Sequence, residues 1–203
     1  MKVDVILWDF DGVIINSNEI RDLGFLQVLK DFPKDQVNEL LTFHQKNGGL
    51  SRYVKFRYFF ETIRNEVVSE SEIQKWADKF SIIMKELLVN PSLLIDETIQ
   101  FIQNNYKKYE MHIVSGSDQN ELRYLCKHLG IDHYFVSING SPTPKKVIVA
   151  DIIDLNNQDY LLIGDSINDY EAAIHNEINF SGFNNTDLIE KGNYITSFNE
   201  FKF

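Results

Sequence analysis

The chain has 203 residues, 43% of them hydrophobic and 25% charged, the profile of an ordinary globular protein rather than a disordered or fibrous one. Lys and Arg number 20 against 30 Asp and Glu, a formal net charge of −10, which argues against a nucleic-acid binder because that class carries a basic face. The single cysteine, Cys126, excludes an intrachain disulfide. The longest apolar runs, such as Val5-Ile6-Leu7-Trp8, are far below the roughly 20 residues of a membrane span. Asp4, Asp9 and Asp11 interrupt any apolar leader, so the cytoplasm is the expected compartment.

Val3 to Trp8 is apolar without period-two alternation, the pattern of a strand covered on both faces. From Asn16 to Asn90 no strand is convincing, and four helical patterns fit instead. The first runs from Asn18 to Phe32 and stops at Pro33; the second runs from Lys34 to Lys46 and stops at Gly48-Gly49. The third starts near Ser51, with Tyr53, Phe56, Phe60 and Ile63 on one face. The fourth opens with the capping-box spacing Ser69-Glu70-Ser71-Glu72, carries Ile73, Trp76, Phe80, Ile83 and Leu87, and ends at Asn90-Pro91. Beyond it, Met111 to Val114 predicts a second strand. Leu122, Leu125, Cys126 and Leu129 then mark a helix that Gly130 stops. Phe135 to Ile138 predicts a third strand, Ile148, Ile152 and Leu155 another helical stripe, Tyr160 to Ile163 a fourth strand, and Ile178 to Phe183 a weaker fifth. Such alternation implies a parallel sheet with right-handed crossovers. The predicted fold is α/β, a Rossmann-like parallel core of residues 1–15 and 91–203 flanked by helices, with an all-helical module at 16–90.

Four short segments carry candidate chemistry. Asp9-Phe10-Asp11-Gly12-Val13 follows the first strand, and two carboxylates one residue apart leave a strand end on the same side. Gly164-Asp165-Ser166-Ile167-Asn168-Asp169 follows the fourth strand with more acid than a helix cap requires. Ligands of open parallel sheets bind at the carboxyl ends of strands. If Asp9, Asp11, Asp165 and Asp169 converge there, each anion pair costs about 4 kcal/mol at about 4 Å and an effective dielectric of about 20, so the cluster needs a cation. An all-oxygen donor set suits Mg²⁺, and no Cys/His cluster argues for zinc. At the end of the second strand, Val114-Ser115-Gly116-Ser117 offers a hydroxyl and close backbone N–H groups to a phosphate. In Gly140-Ser141-Pro142-Thr143-Pro144-Lys145-Lys146, Pro144 fits the first position of a helix with Thr143 as cap. Two lysines in that first turn oppose the helix dipole by about 0.3–1 kcal/mol each, which an ammonium aimed at carboxylates and phosphate offsets. Either lysine fits; Lys145 is favoured because the apolar stripe begins after Lys146.

Taken together, these segments resemble the haloacid dehalogenase superfamily of aspartate-nucleophile phosphatases. The Asp9 segment is similar to its first motif, Ser115 to the second, Lys145 to the third and the Asp165 segment to the fourth, in the family's order and across essentially the whole chain. Phosphoglycolate-phosphatase-like and β-phosphoglucomutase-like members are the nearest resemblance, and residues 16–90 resemble their helical cap. The resemblance implies that Asp9 attacks phosphorus, forming an aspartyl-phosphate. It implies that Asp11 is the acid and then the base, with a pKa raised part of the time by neighbouring carboxylates. Ser115, Gly116 and Lys145 would hold the phosphoryl oxygens. Asp9, Asp165 and the Asp11 carbonyl would hold Mg²⁺, with Asp169 bound directly or through water.

Asp11 also separates activities, since haloacid dehalogenases lack this second acid. Phosphonate hydrolysis in the family uses a cap lysine as a Schiff base; Lys34, Lys46 and Lys55 exist, but nothing in their context marks a depressed pKa. In the loop Asn47-Gly48-Gly49-Leu50-Ser51-Arg52, Arg52 is a candidate second anchor for an anionic substrate, although Arg52, Lys55 and Arg57 would equally suit a solvated basic face. The histidines show no ligand spacing, and Cys126 and the aromatic stripe read as packing. The expected function is a Mg²⁺-dependent phosphatase acting on a small phosphorylated metabolite, as a monomer or weak homodimer without a nucleic-acid or membrane partner. A sugar phosphomutase and a non-catalytic phospho-ligand-binding regulator are the alternatives.

Overall fold

A computed structural model describes residues 2–153 and 158–201. Leu155 of the expected helical stripe lies outside them. The strands among the described residues are β1 (Val5–Trp8), β2 (Glu110–Asp118), β3 (Ser137–Ser141), β4 (Tyr160–Gly164), β5 (Asn179–Phe183) and β6 (Asn193–Ile195). All pair in parallel, in the order β3-β2-β1-β4-β5-β6. The helices are α1 (Asn18–Val28), α2 (Lys34–Lys46), α3 (Arg52–Arg57), α4 (Glu70–Leu87), α5 (Asp96–Asn105), α6 (Gln119–His128), α7 (Lys145–Ile152) and α8 (Ile167–His175).

The unbroken apolar runs have a direct cause. In β1, Ile6 and Trp8 join one hydrophobic cluster with Ile99 and Ile102 of α5 and Leu122 and Leu125 of α6. Val5 and Leu7 point the other way, into a cluster with Ile148 and Val149 of α7 and Ala172 and Ala173 of α8. Both faces are covered, so neither alternating set is polar. Register then aligns the strand ends: Trp8 sits opposite Ile113 of β2 and Ile163 of β4. The residues that follow, Asp9, Val114-Ser115 and Gly164-Asp165, therefore emerge at one edge of the sheet. The strand order also departs in both directions from β1 here, the point where open α/β sheets form a ligand crevice.

Three sequence expectations shift. β2 runs on past Val114 to Asp118, with a register irregularity against β3 between those residues. β3 begins at Ser137 because Phe135 closes a 3₁₀ turn, Asp132–Tyr134, and the turn-like residues Asn139 and Gly140 are held in the ladder by β2. β6 was not anticipated, since Asn193–Ile195 is too short to show a period.

The inserted segment is all helical, as its patterns predict. Ser69 caps α4 in a reciprocal box, its Oγ accepting from the Glu72 N–H and its own N–H donating to Glu72 Oε2 at 2.9 Å. α3 continues as a π-helical turn, Tyr58–Ile63, which buries Phe59 and Phe60 together. Phe25, Phe56 and Phe80, from α1, α3 and α4, stack into the insertion's interior, with ring centroids 4.5–6.2 Å apart. The chain enters and leaves the insertion side by side: Asn16 N–H donates to the Leu93 carbonyl (2.7 Å) and Ile95 N–H to the Ile14 carbonyl (2.9 Å). No helix of the described residues is long and apolar enough to cross a membrane.

Candidate active site

At the carboxyl edge of the sheet, ligand-competent oxygens of Asp9, Asp165 and Asp169 lie within 4.8 Å of one another. Lys145 donates to Asp9 Oδ1 at 2.8 Å and also to Asp169 Oδ1. Asp9, Lys145 and Asp169 are all buried, whereas Lys146 is exposed. That resolves the choice between the two lysines. α7 starts at Lys145, with Pro144 in the capping position rather than Thr143. The extended ψ of 139° at Pro144 keeps it outside the helix, which moves the expected boundary by one residue. Asp169 Oδ2 accepts from both the N–H (3.0 Å) and the hydroxyl (2.6 Å) of Ser166, so each of its oxygens has a protein partner. Gly12 is required where it stands, because its φ is +76° and a Cβ there would lie 1.9 Å from Asp165 Oδ2.

Burial, reinforced by the Asp169 charge, pushes the Asp9 carboxyl up to about 7, against the opposing pull of Lys145. Burial with Asp9 and Asp169 likewise holds Asp165 well above the ordinary carboxylate range. Three desolvated anions beside one ammonium are short of positive charge. This all-oxygen donor set fits a hard divalent cation.

Asp11 points elsewhere. Its Oδ1 accepts from Ser17 Oγ (2.5 Å) and Arg21 Nε (2.9 Å), and its Oδ2 from Ser117 Oγ (2.5 Å). Burial pushes this carboxyl up, but Arg21 and the two hydroxyls outweigh it and bring Asp11 down to about 2. The expectation of a pKa raised by neighbouring carboxylates is therefore corrected: a guanidinium dominates its surroundings. Ser115 is buried, and its Oγ accepts from the Ser117 N–H at 3.1 Å. Gly116 faces the insertion, where a Cβ would fall 2.0 Å from the Gly49 carbonyl oxygen, and Asn168 Nδ2 donates to the Gly48 carbonyl at 2.6 Å. The Gly48-Gly49 turn thus closes directly onto the strand ends.

A cavity of about 770 Å³ separates the strand ends from the insertion and is lined by Asp9, Asp11, Ser115 and Asp165 on one wall and Arg21, His44, Arg52 and Lys55 on the other. That second wall was not anticipated as a unit. Arg52 is neither solvated nor free for a substrate. It forms a bidentate pair with Glu121 (2.5 and 2.8 Å), donates to Ser81 Oγ (2.7 Å) and stacks over Phe80. Arg21 also reaches Glu121, at 2.5 Å. Glu121 is fully buried, and the charges of Arg52 and Arg21 hold its carboxyl below the ordinary range despite burial. Burial, with Arg21 and Arg52 nearby, lowers Lys55 to about 7, although Asp11 opposes the shift. The reading that no insertion lysine has a depressed pKa is thereby corrected. His44 falls to about 3 through burial and the charges of Lys55 and Arg21.

The haloacid dehalogenase-like hydrolase model matches residues 6–183. The chain belongs to this hydrolase family. Within it, the chain is similar to the pyrophosphatase PpaX of Listeria innocua, 25% identical over 184 residues that span 85% of this chain and 79% of the relative. Its fold matches β-phosphoglucomutase from Clostridium difficile (TM-score 0.76, 18% identity, covering 100% of this chain and 94% of that one). It also matches a predicted phosphoglycolate phosphatase from Haemophilus somnus 129PT (TM-score 0.74, 19% identity, 98% and 96% covered). As a member of this phosphatase- and phosphomutase-like family, the chain places its strand-end acids at the sheet crevice.

Arg21 and Glu121, which the sequence reading missed, and Lys55, which it placed on a solvated face, did leave a trace there. Glu121 is four residues before Leu125, Arg21 four before Phe25 and Lys55 four before Phe59, so each falls on a buried helical stripe. A charge on an apolar face is the informative exception.

Proposed function

We propose that the chain is a Mg²⁺-dependent phosphatase that hydrolyses a small phosphate monoester through an aspartyl-phosphate on Asp9. One observation carries this reading: Asp9, Asp165 and Asp169 converge with the Lys145 ammonium clamped between Asp9 and Asp169. In this proposal residues 1–15 and 91–203 form the catalytic core and residues 16–90 the cap. The Asp9 carboxylate attacks phosphorus as the bond to the leaving oxygen breaks, and Asp11 delivers the proton that oxygen needs. Asp11 must first take up a proton against the hold of Arg21. A water then attacks phosphorus, gives its proton to Asp11, and frees phosphate from Asp9.

Lys145 and Ser115, with the backbone at Gly116, hold the phosphoryl oxygens, so positioning and charge stabilisation do most of the work. Asp9, Asp165 and the Asp11 carbonyl would hold Mg²⁺, with Asp169 bound directly or through water, and the ion would supply positive charge to those oxygens. Asp169, tied to Ser166 and Lys145, orients the ammonium. The insertion keeps bulk water from the cavity. The partner is a small phosphorylated metabolite, and the cytoplasm is the site of action.

Phosphate release from p-nitrophenyl phosphate with added Mg²⁺ tests this reading. Activity is expected to require metal and to fall at least about 10³-fold in Asp9→Asn; equal turnover by that variant would remove the mechanism. A phosphomutase would instead yield a sugar-phosphate isomer without free phosphate. A pyrophosphatase, the activity named for the Listeria relative, would prefer pyrophosphate over every monoester.

A further inference from the structure

Among the buried charges around the cavity, Lys55 stands outside both the proposed chemistry and the ion pairs of its neighbours. The Lys55 side chain is only 4% exposed and lines the cavity wall opposite Asp9. Among the described residues no hydrogen bond or ion pair reaches its ammonium, while its two cationic neighbours are already engaged. Arg21 is spent on Asp11 and Glu121, and Arg52 on Glu121 and Ser81. An unpaired buried ammonium is costly, and such groups concentrate where a ligand supplies the missing charge. Beside it, His44 Nδ1 and Asp22 Oδ1 are also buried without a hydrogen-bond partner. Asp22 Oδ1 lies 3.5 Å from His44 Nε2, so the two groups sit side by side at this wall, with His44 Nδ1 able to donate or accept.

Building on the phosphatase reading, we propose that Lys55 anchors a carboxylate on the leaving group of the substrate, with His44 and Asp22 receiving its hydroxyls. The substrate class is then a phosphorylated hydroxy acid or sugar acid. A molecule with its phosphate at Asp9 and Lys145 projects its other end toward the insertion, across a cavity of about 770 Å³, a size ordinary for small ligands. One free ammonium matches a monoanionic carboxylate. A second phosphate, being a dianion, would leave a negative charge uncompensated, because neither arginine is free to meet it.

The test is calorimetric binding at pH 6.5 with Mg²⁺ to the Asp9→Asn protein, which does not turn the ligand over. Matched pairs differ only in carboxylate against hydroxymethyl: 3-phosphoglycerate with glycerol 3-phosphate, and 6-phosphogluconate with glucitol 6-phosphate. At least one acid is expected to bind tenfold or more tightly than its alcohol. Adding Lys55→Met is expected to reduce that ratio to within about twofold, while Lys55→Arg restores part of it. The Met side chain is close in volume and removes a buried charge, and an unchanged urea midpoint verifies that it folds. The proposal is overturned if no pair differs by more than twofold, if the preference survives Lys55→Met, or if pyrophosphate or fructose 1,6-bisphosphate binds more tightly than every acid. Failure of the wild-type protein to hydrolyse p-nitrophenyl phosphate would remove the phosphatase reading instead, and the binding ratios would still decide the role of Lys55.

Discussion

On the sheet wall of the cavity, Asp9, Asp165 and Asp169 gather around the ammonium of Lys145, whereas on the helical wall Arg21 and Arg52 share the carboxylates of Asp11 and Glu121 and Lys55 stands outside those pairs. The first wall is short of positive charge, while the second leaves one ammonium, that of Lys55, outside its ion pairs. Asp9 and Asp11 make the contrast at close range. Both stand at the end of β1, Asp9 buried and Asp11 half-buried, yet one is pushed up to about 7 among anions and the other down to about 2 beside a guanidinium. Backbone position puts a carboxylate in the site; its neighbours decide its charge. The formal net charge of −10 is a poor guide to either wall, because fields decay over about 8 Å at physiological ionic strength.

The largest effect that would break this comparison is expected on the sheet wall. Lys145→Met should lower kcat/KM for an aryl phosphate by about 10²- to 10³-fold, while the same change at exposed Lys146 should cost less than about twofold. Steady-state kinetics of the two variants check it, and equal losses would refute the assignment. On the helical wall, Glu121→Gln leaves Arg21 and Arg52 short of their shared carboxylate and is expected to cost about 3 kcal/mol of stability in urea unfolding. A loss under about 0.5 kcal/mol would mean the buried pairs are replaceable.

A gentler probe of the helical wall is pH. Folded His44 stays neutral down to about 3, whereas an unfolded histidine takes up a proton near 6.5. Between those values the unfolded chain binds the extra proton, so stability falls as pH is lowered, by up to about 1.4 kcal/mol per unit. His44→Gln should flatten that limb of urea midpoints measured from pH 6.5 to 4; parallel curves would show that His44 is not the group responsible.

The strand-end acids were readable in the sequence because Asp9 and Asp165 each follow an apolar run with the pattern of a covered strand. Asp9 after Trp8 and Asp165 after Gly164 need no knowledge of distant packing beyond parallel pairing. The helical wall was not readable in the same way. Arg21, Lys55 and Glu121 carry no motif, and Arg52 looked like part of a basic face shared with Lys55 and Arg57. Arg57 does remain near the surface, pairing with Glu61 and Glu70, while Arg52 and Lys55 are buried. α3 turns one side inward, and only packing against α4 and α6 reveals which side that is. The capping box at Ser69 is local and was legible. The π-helical turn after Arg57 breaks the 3.6-residue period and was not.

By itself, then, the sequence determined the first five strands, the helical insertion, and the acids Asp9 and Asp165 at the strand ends, since these follow from periodicity and from neighbours a few residues away. The tertiary structure alone decided which lysine meets Asp9, that Asp11 is held by Arg21, and that Lys55 stands buried with no hydrogen bond or ion pair among the described residues. Those facts depend on side chains up to 136 residues apart in the chain, as Lys145 and Asp9 are. Their charges are set by burial and Coulomb interactions that exist only once the insertion has closed on the sheet.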